Sequence, residues 1–173
     1  MLALALFTSA PPARTQTRDA AALSEAEIEQ LRDTAYVAAD RVGVFIKFLD
    51  ARANSIHDLA AKPRRPGRET DLHDLFEQFT SIADELNDNL DDYGPRHRDI
   101  RKQLPKLIDA TARWSTTLRS VPDDDAYNLS RKLALESVRD IREEATRLVD
   151  DQKTWFAAHP PSKDERQQNE SPR

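Results

Sequence analysis

Residues 28–59, with the sequence IEQLRDTAYVAADRVGVFIKFLDARANSIHDL, decide the fold of this chain. Apolar residues recur there at alternating steps of three and four, which places them on one stripe of a helix. The stripe is interrupted only at Arg52 and otherwise comprises Ile28, Leu31, Ala35, Ala38, Val42, Phe45, Leu49, Ile56 and Leu59. Because an apolar stripe has to be covered, the pattern predicts one long first helix that packs against other helices.

The composition of the whole chain also favours an all-α fold. A length of 173 residues is that of a single domain. Three glycines are too few for a fold with many tight β turns. The chain has no cysteine, which excludes disulfides, thiol catalysis and thiolate metal sites.

Start and stop signals divide the chain into four helical segments. Ser24 and Glu27 form a capping box that begins the first segment. Lys62-Pro63 ends the first segment, Gly94-Pro95 ends the second, and Pro122 opens the fourth. Pro105 predicts that the third segment is either kinked or begins only at Leu104. Short connections favour antiparallel neighbours, so we predict an antiparallel up-down-up-down four-helix bundle with long first and fourth helices over residues 24–159.

The two ends of the chain are not expected to belong to the bundle. Residues 2–7 are a short apolar core, and residues 8–13 supply the small residues of a signal-peptidase site, but no basic residue precedes Arg14. We interpret residues 1–23 as a truncated signal-like segment and linker, which predicts a periplasmic or secreted protein. A disordered N-terminus on a cytoplasmic accessory protein is the alternative. Residues 160–173 are polar and predict a disordered tail.

The motifs of common catalytic and cofactor sites are missing. The chain has neither the Glu-x-x-His motif of di-iron bundles nor the His-Glu-x-x-His motif of zinc enzymes. Its only methionine is Met1, so no methionine and histidine pair can be named for haem. We therefore predict a non-enzymatic protein without a cofactor. A bundle that binds a metal or a small ligand through carboxylates and histidines is the alternative function.

Charge and hydropathy point to a protein partner. The net charge is −5, with basic and acidic residues interleaved, which gives no support for nucleic-acid binding. No apolar run approaches the roughly 20 residues of a transmembrane helix. The sequence thus favours a protein-interaction or structural module of the cell envelope, with a homo-oligomer as one form of that interaction.

Two groups of residues are candidates for the interaction surface. The acidic group that precedes the second connection comprises Asp84, Glu85, Asp88, Asp91 and Asp92, and the basic group that follows it comprises Arg96, Arg98, Arg101 and Lys102. We expect the two charged groups to pair across the connection, with a cation site or a docking surface as alternatives. The long first and fourth helices should also overhang the other two, which would leave apolar residues covered by two helices only. That overhang would comprise Ile28, Leu31, Tyr36, Trp155 and Phe156 and would either bind a partner or close on itself.

Overall fold

A computed structural model describes residues 22–160, so the signal-like segment up to residue 21 and the tail from residue 161 lie outside the described residues. No strand occurs among the described residues, and the prediction of an all-α fold is confirmed. Residues 22–160 form five helices, namely α1 (Glu25–Asp33), α2 (Ala38–Ala61), α3 (Arg68–Tyr93), α4 (Leu104–Ser120) and α5 (Asn128–Ala158). Pro105 lies in the first turn of α4, which matches the later of the two predicted starts.

The prediction of one unbroken first helix is wrong, because the chain turns back between α1 and α2. The hydroxyl of Thr34 donates hydrogen bonds to the carbonyl groups of Gln30 and Leu31, which satisfies the end of α1. Val37 then adopts an extended backbone (φ −117°, ψ 97°) ahead of α2. The apolar period continues across this turn in the same phase, so the period alone did not reveal the break.

α1 lies back along α2 and is held there by two arginines of α2. Both carboxylate oxygens of Glu27 accept hydrogen bonds from Arg52, at 2.9 and 2.8 Å. Arg41 donates to the carbonyl oxygen of Leu31 at 2.8 Å. Arg52, the one interruption of the apolar stripe, is therefore the residue that fastens α1 to the bundle.

The other four helices form a closed ring in which each contacts two neighbours. The contacts join α2 to α3, α3 to α5, α5 to α4 and α4 to α2. Arg41 near the start of α2 reaches Glu85 near the end of α3, so these helices are antiparallel. His73 and Ser130, both near helix starts, are hydrogen-bonded, so α3 and α5 are parallel.

The prediction that consecutive helices are always neighbours is wrong for α3 and α4. Within residues 22–160 their backbones are not in contact, and the connection 94–103 crosses the end of the bundle diagonally. Their side chains meet only in the core, where Phe79 and Trp114 form an edge-to-face pair with centroids 5.9 Å apart. Among residues 22–160, no helix is long and apolar enough to span a membrane.

Candidate interaction surface at one end of the bundle

Helix directions bring the start of α2, the end of α3, the start of α4 and the end of α5 to the same end of the bundle. Five of the residues that the sequence singled out lie there. They are joined by two residues that the sequence did not single out, Val37 and His97. We call this set the end surface, and it comprises Tyr36, Val37, His97, Arg98, Arg101, Trp155 and Phe156.

The connection between α3 and α4 is fixed to α5 by the buried side chain of Gln152. Its oxygen accepts from the backbone N–H of Ile100 at 3.2 Å, and its amide group donates to the carbonyl oxygen of Arg98 at 2.8 Å. Buried backbone groups need such partners, since leaving them unpaired costs about 1–3 kcal/mol each. Gln152 thus holds the backbone of Arg98 in place while the arginine side chain remains free to contact a partner.

His97 takes a strained conformation that places its ring on α5. Its φ of 52° is the only positive φ of a non-glycine residue among residues 22–160. The imidazole stacks on the indole of Trp155 with a centroid distance of 4.1 Å and an interplanar angle of 13°. His159 also stacks on this indole, at 4.5 Å. The stacking orders Trp155, which would otherwise project from the last turns of α5.

Phe156 and Arg101 extend this aromatic cluster. The guanidinium of Arg101 lies 4.1 Å from the centre of the Phe156 ring, which is a cation–π arrangement. Arg101 also donates to Asp99 at 2.7 Å. This hydrogen bond lowers the pKa of Asp99 and raises the pKa of Arg101. The basic side chain is therefore oriented by an aromatic ring and a carboxylate together.

The turn between α1 and α2 forms the other half of the end surface. Tyr36 is 94% exposed and Val37 is 46% exposed. A cleft of about 270 Å³ separates the turn from the end of α3. Its lining includes the arginine side chains of Arg41, Arg96 and Arg98. Arg41 and Arg96 are paired with Glu85 and Asp92, whereas Arg98 has no ion-pair partner among the described residues.

Two predicted site residues, Ile28 and Leu31, are not part of this end. The predicted overhang, in which they would face Trp155 and Phe156, is wrong because α1 contacts only α2 among the described helices. Leu31 is buried in the core and Ile28 is 38% exposed. Ile28 and Leu31 lie far from the end of α5 because the ion pair between Glu27 and Arg52 holds α1 against α2.

The predicted pairing of the two charged groups forms at one pair only, Asp92 with Arg96 at 3.1 Å. Among residues 22–160, no contact within ion-pair distance joins Asp84, Asp88 or Asp91 to Arg98 or Arg101. The three aspartates lie instead on the side of α3 that borders α5. Asp84 accepts a hydrogen bond there from Ser137 at 2.8 Å.

The end surface has the composition of a protein-binding hot spot. Tyrosine, tryptophan and arginine carry most of the binding energy in protein interfaces. No group of three or more histidine or acidic side chains that could hold a metal occurs within residues 22–160. Sequence reasoning missed His97 and Gln152, since a single polar residue in a helix or connection gives no periodic signal. It also missed Val37, which lies outside the apolar stripe.

No protein-family model matches the chain, and neither the curated proteins nor the solved structures contain a significant match.

Proposed function

We propose that the protein is a non-enzymatic interaction module of the cell envelope that binds another protein through its end surface. One observation carries this proposal: the nearly full exposure of Tyr36 at the same end of the bundle as Trp155, Phe156, Arg98 and Arg101. Burial of one such aromatic side chain against a partner contributes about 1.5–3 kcal/mol. Hot-spot residues of this kind usually cluster at the centre of an interface.

Two features make the end surface suitable for binding a preformed partner. The aromatic cluster is ordered by stacking, and the connection is fixed by Gln152, so little conformational entropy is lost on binding. The guanidinium of Arg98, which has no ion-pair partner in the described part of the chain, adds a hydrogen-bonding fork for a carboxylate of the partner. A second copy of this chain is one form that the partner could take.

The location in the envelope is part of the same proposal and rests on the signal-like pattern of residues 1–13. An exported protein would start between about Pro11 and Thr17 after cleavage. Mass spectrometry of the protein from its native cells tests this directly. Detection of intact residues 1–13 on the cellular protein would contradict export and leave the cytoplasmic alternative.

Site-specific cross-linking tests the interaction surface. A photoreactive phenylalanine analogue is placed at Tyr36, and a matched control carries it at Arg119, an exposed residue at the end of α4 near the opposite end of the bundle. We expect one discrete cross-linked species from position 36 in native cells, and a lower yield when Trp155 is changed to Ser in the same protein. Cross-linking from position 119 alone would contradict the assignment of the end surface.

A further inference from the structure

A second surface, separate from the end surface, lies along the groove between α3 and α5. This α3–α5 groove has a volume of about 480 Å³ and is lined mainly by Glu77, Thr80, Asp84, Asp88, Ser130 and Leu133. Two hydrogen bonds join its walls: His73 Nδ1 to Ser130 Oγ at 3.1 Å and Ser137 Oγ to Asp84 Oδ1 at 2.8 Å. The groove exists because small hydroxyl side chains, rather than large apolar ones, occupy the junction of these two parallel helices.

One wall of the groove includes an exposed leucine, Leu133, which is 46% exposed. Leu129, which is 71% exposed, lies four residues earlier on α5, so its side chain lies beside that of Leu133 on one face of the helix. Isolated exposed leucines need no explanation. Together, however, the two leucines extend the wall into an apolar strip that an amphipathic helix can cover.

The other wall is strongly acidic. α3 contains nine aspartate and glutamate residues and a single arginine, Arg68. Four of these carboxylates line the groove, and no lysine or arginine lines it. Glu85 is paired with Arg41 and Glu77 with His73. Asp88 has no ion-pair partner within the described residues, so its charge is available to a ligand.

The acidic character continues beyond the groove toward the end of α3. Burial raises the pKa of Asp91, and the negative charges of Glu144 on α5 and of Asp88 raise it further. Arg147 opposes this effect. Carboxylates of the two parallel helices thus crowd one another, and a cation placed between them would relieve the repulsion.

We propose that the α3–α5 groove binds a basic amphipathic helical segment of another protein. Apolar residues of that segment would cover Leu129 and Leu133, and its lysine or arginine side chains would meet Asp84 and Asp88. Charge complementarity decides the chemistry of the occupant, since an acidic or uncharged segment would leave these carboxylates desolvated without a partner. The proposal is independent of the end surface, because the two surfaces share no residue.

In the experiment, the whole protein is titrated into a fluorescently labelled synthetic helix of leucine and lysine with one apolar face. The fluorescence anisotropy of the peptide measures its binding. We expect binding that weakens with added salt, and no comparable binding of a peptide in which glutamate replaces lysine. The double variants Leu129→Ser/Leu133→Ser and Asp84→Asn/Asp88→Asn should each weaken binding by about tenfold or more. Circular dichroism verifies that each variant is folded, which the exposure of these side chains favours.

A matched control separates a defined groove from general attraction to an acidic protein. The double variant Asp58→Asn/Asp109→Asn removes the same charge from exposed positions on α2 and α4 and should bind like the unchanged protein. The proposal is overturned if the control loses as much affinity as the groove variant, or if the leucine pair has no effect. It is equally overturned if neither peptide binds, or if the groove mediates self-association of this chain instead.

Discussion

Replacement of Glu27 by Gln is expected to release α1 from α2 without damaging α1 itself. Glu27 accepts hydrogen bonds from Arg52 and also from the backbone N–H of Ser24, at 2.8 Å. Glutamine is an accepted third residue of a capping box, so its amide oxygen can keep the bond to Ser24. The substitution therefore removes the charge that faces Arg52 and little else.

The size of the effect follows from the pKa of Glu27. Hydrogen bonds from Arg52 are the main reason that this pKa is lowered from 4.5 to about 2, with Ser24 contributing further and partial burial opposing. Because a tenfold change in proton affinity is worth about 1.4 kcal/mol, this lowering corresponds to an upper value of ~3 kcal/mol. Water screens part of the pair, whose side chains are 16% and 15% exposed, so we expect a loss of about 1–3 kcal/mol.

The pH dependence has a definite sign. The carboxylate has a lower pKa in the folded protein, so its stabilisation is fully present above pH 4.5. It is lost as the pH falls from 4.5 toward about 2. The unchanged protein and the Glu27→Gln variant should therefore differ in the stability of α1 at pH 7. The two proteins should become equally stable as the pH approaches about 2.

Hydrogen exchange of the peptide that covers α1 measures this loss. At pH 7 we expect the protection of this peptide to fall by about 10–100-fold in Glu27→Gln, while α3 and α5 keep their protection. Glu29→Gln is the matched control, because Glu29 is on the same helix and pairs only with exposed Arg32 at 3.1 Å. Equal effects of the two substitutions would show that the ion pair between Glu27 and Arg52 is not what holds α1 against α2.

Four further substitutions test the packing that supports the end surface and the bundle. Gln152→Leu should lower the free energy of unfolding by about 1–3 kcal/mol in urea titration, because the buried N–H of Ile100 and the carbonyl group of Arg98 lose their partner; an unchanged midpoint would show that these two bonds do not hold the connection. Asp50→Ala removes the acceptor of the buried indole N–H of Trp114 at 2.7 Å and should cost about 1–2 kcal/mol with a shift in tryptophan emission; unaltered emission would contradict this bond. Gly43→Ala should raise stability by about 0.5–1 kcal/mol, since its new methyl group meets only ordinary contacts at 3.6 Å. Gly67→Ala should lower stability by about 1 kcal/mol because its φ is 83°, and a common sign for the two glycines would refute this argument.

The spacing of apolar residues predicted which side chains of α2 are in the core, because only one face of this helix is buried and residues on one face recur at steps of three and four. Val42, Phe45, Leu49 and Ile56 are all fully buried, as the stripe predicted. The same period could not show that the chain reverses at Thr34, since α1 and α2 both turn an apolar face to the bundle. The decisive signal was Arg52, a charge within the stripe whose partner is 25 residues away along the chain.

The candidate site was predicted in part for a similar reason. Tyr36, Trp155 and Phe156 stood out by side-chain type, and the structure brings them to one end of the bundle. The charge pattern of Asp88 and Arg98 was visible in the sequence, but which helix each would face was not. The helix that each residue faces depends on the diagonal connection between α3 and α4, which is fixed by Gln152. A single glutamine in a helix gives no sequence pattern from which this connection could be predicted.

Hydrogen exchange of the complex isolated from native cells tests whether the end surface binds a protein partner. The chain is compared alone and bound to its captured partner, peptide by peptide. If the end surface binds the partner, the peptides that contain Tyr36, Arg98 and Trp155 should gain protection from exchange in the complex, and the peptides of α4 should change little. A complex that protects α4 or the outer face of α2, and leaves these three peptides unchanged, would contradict it.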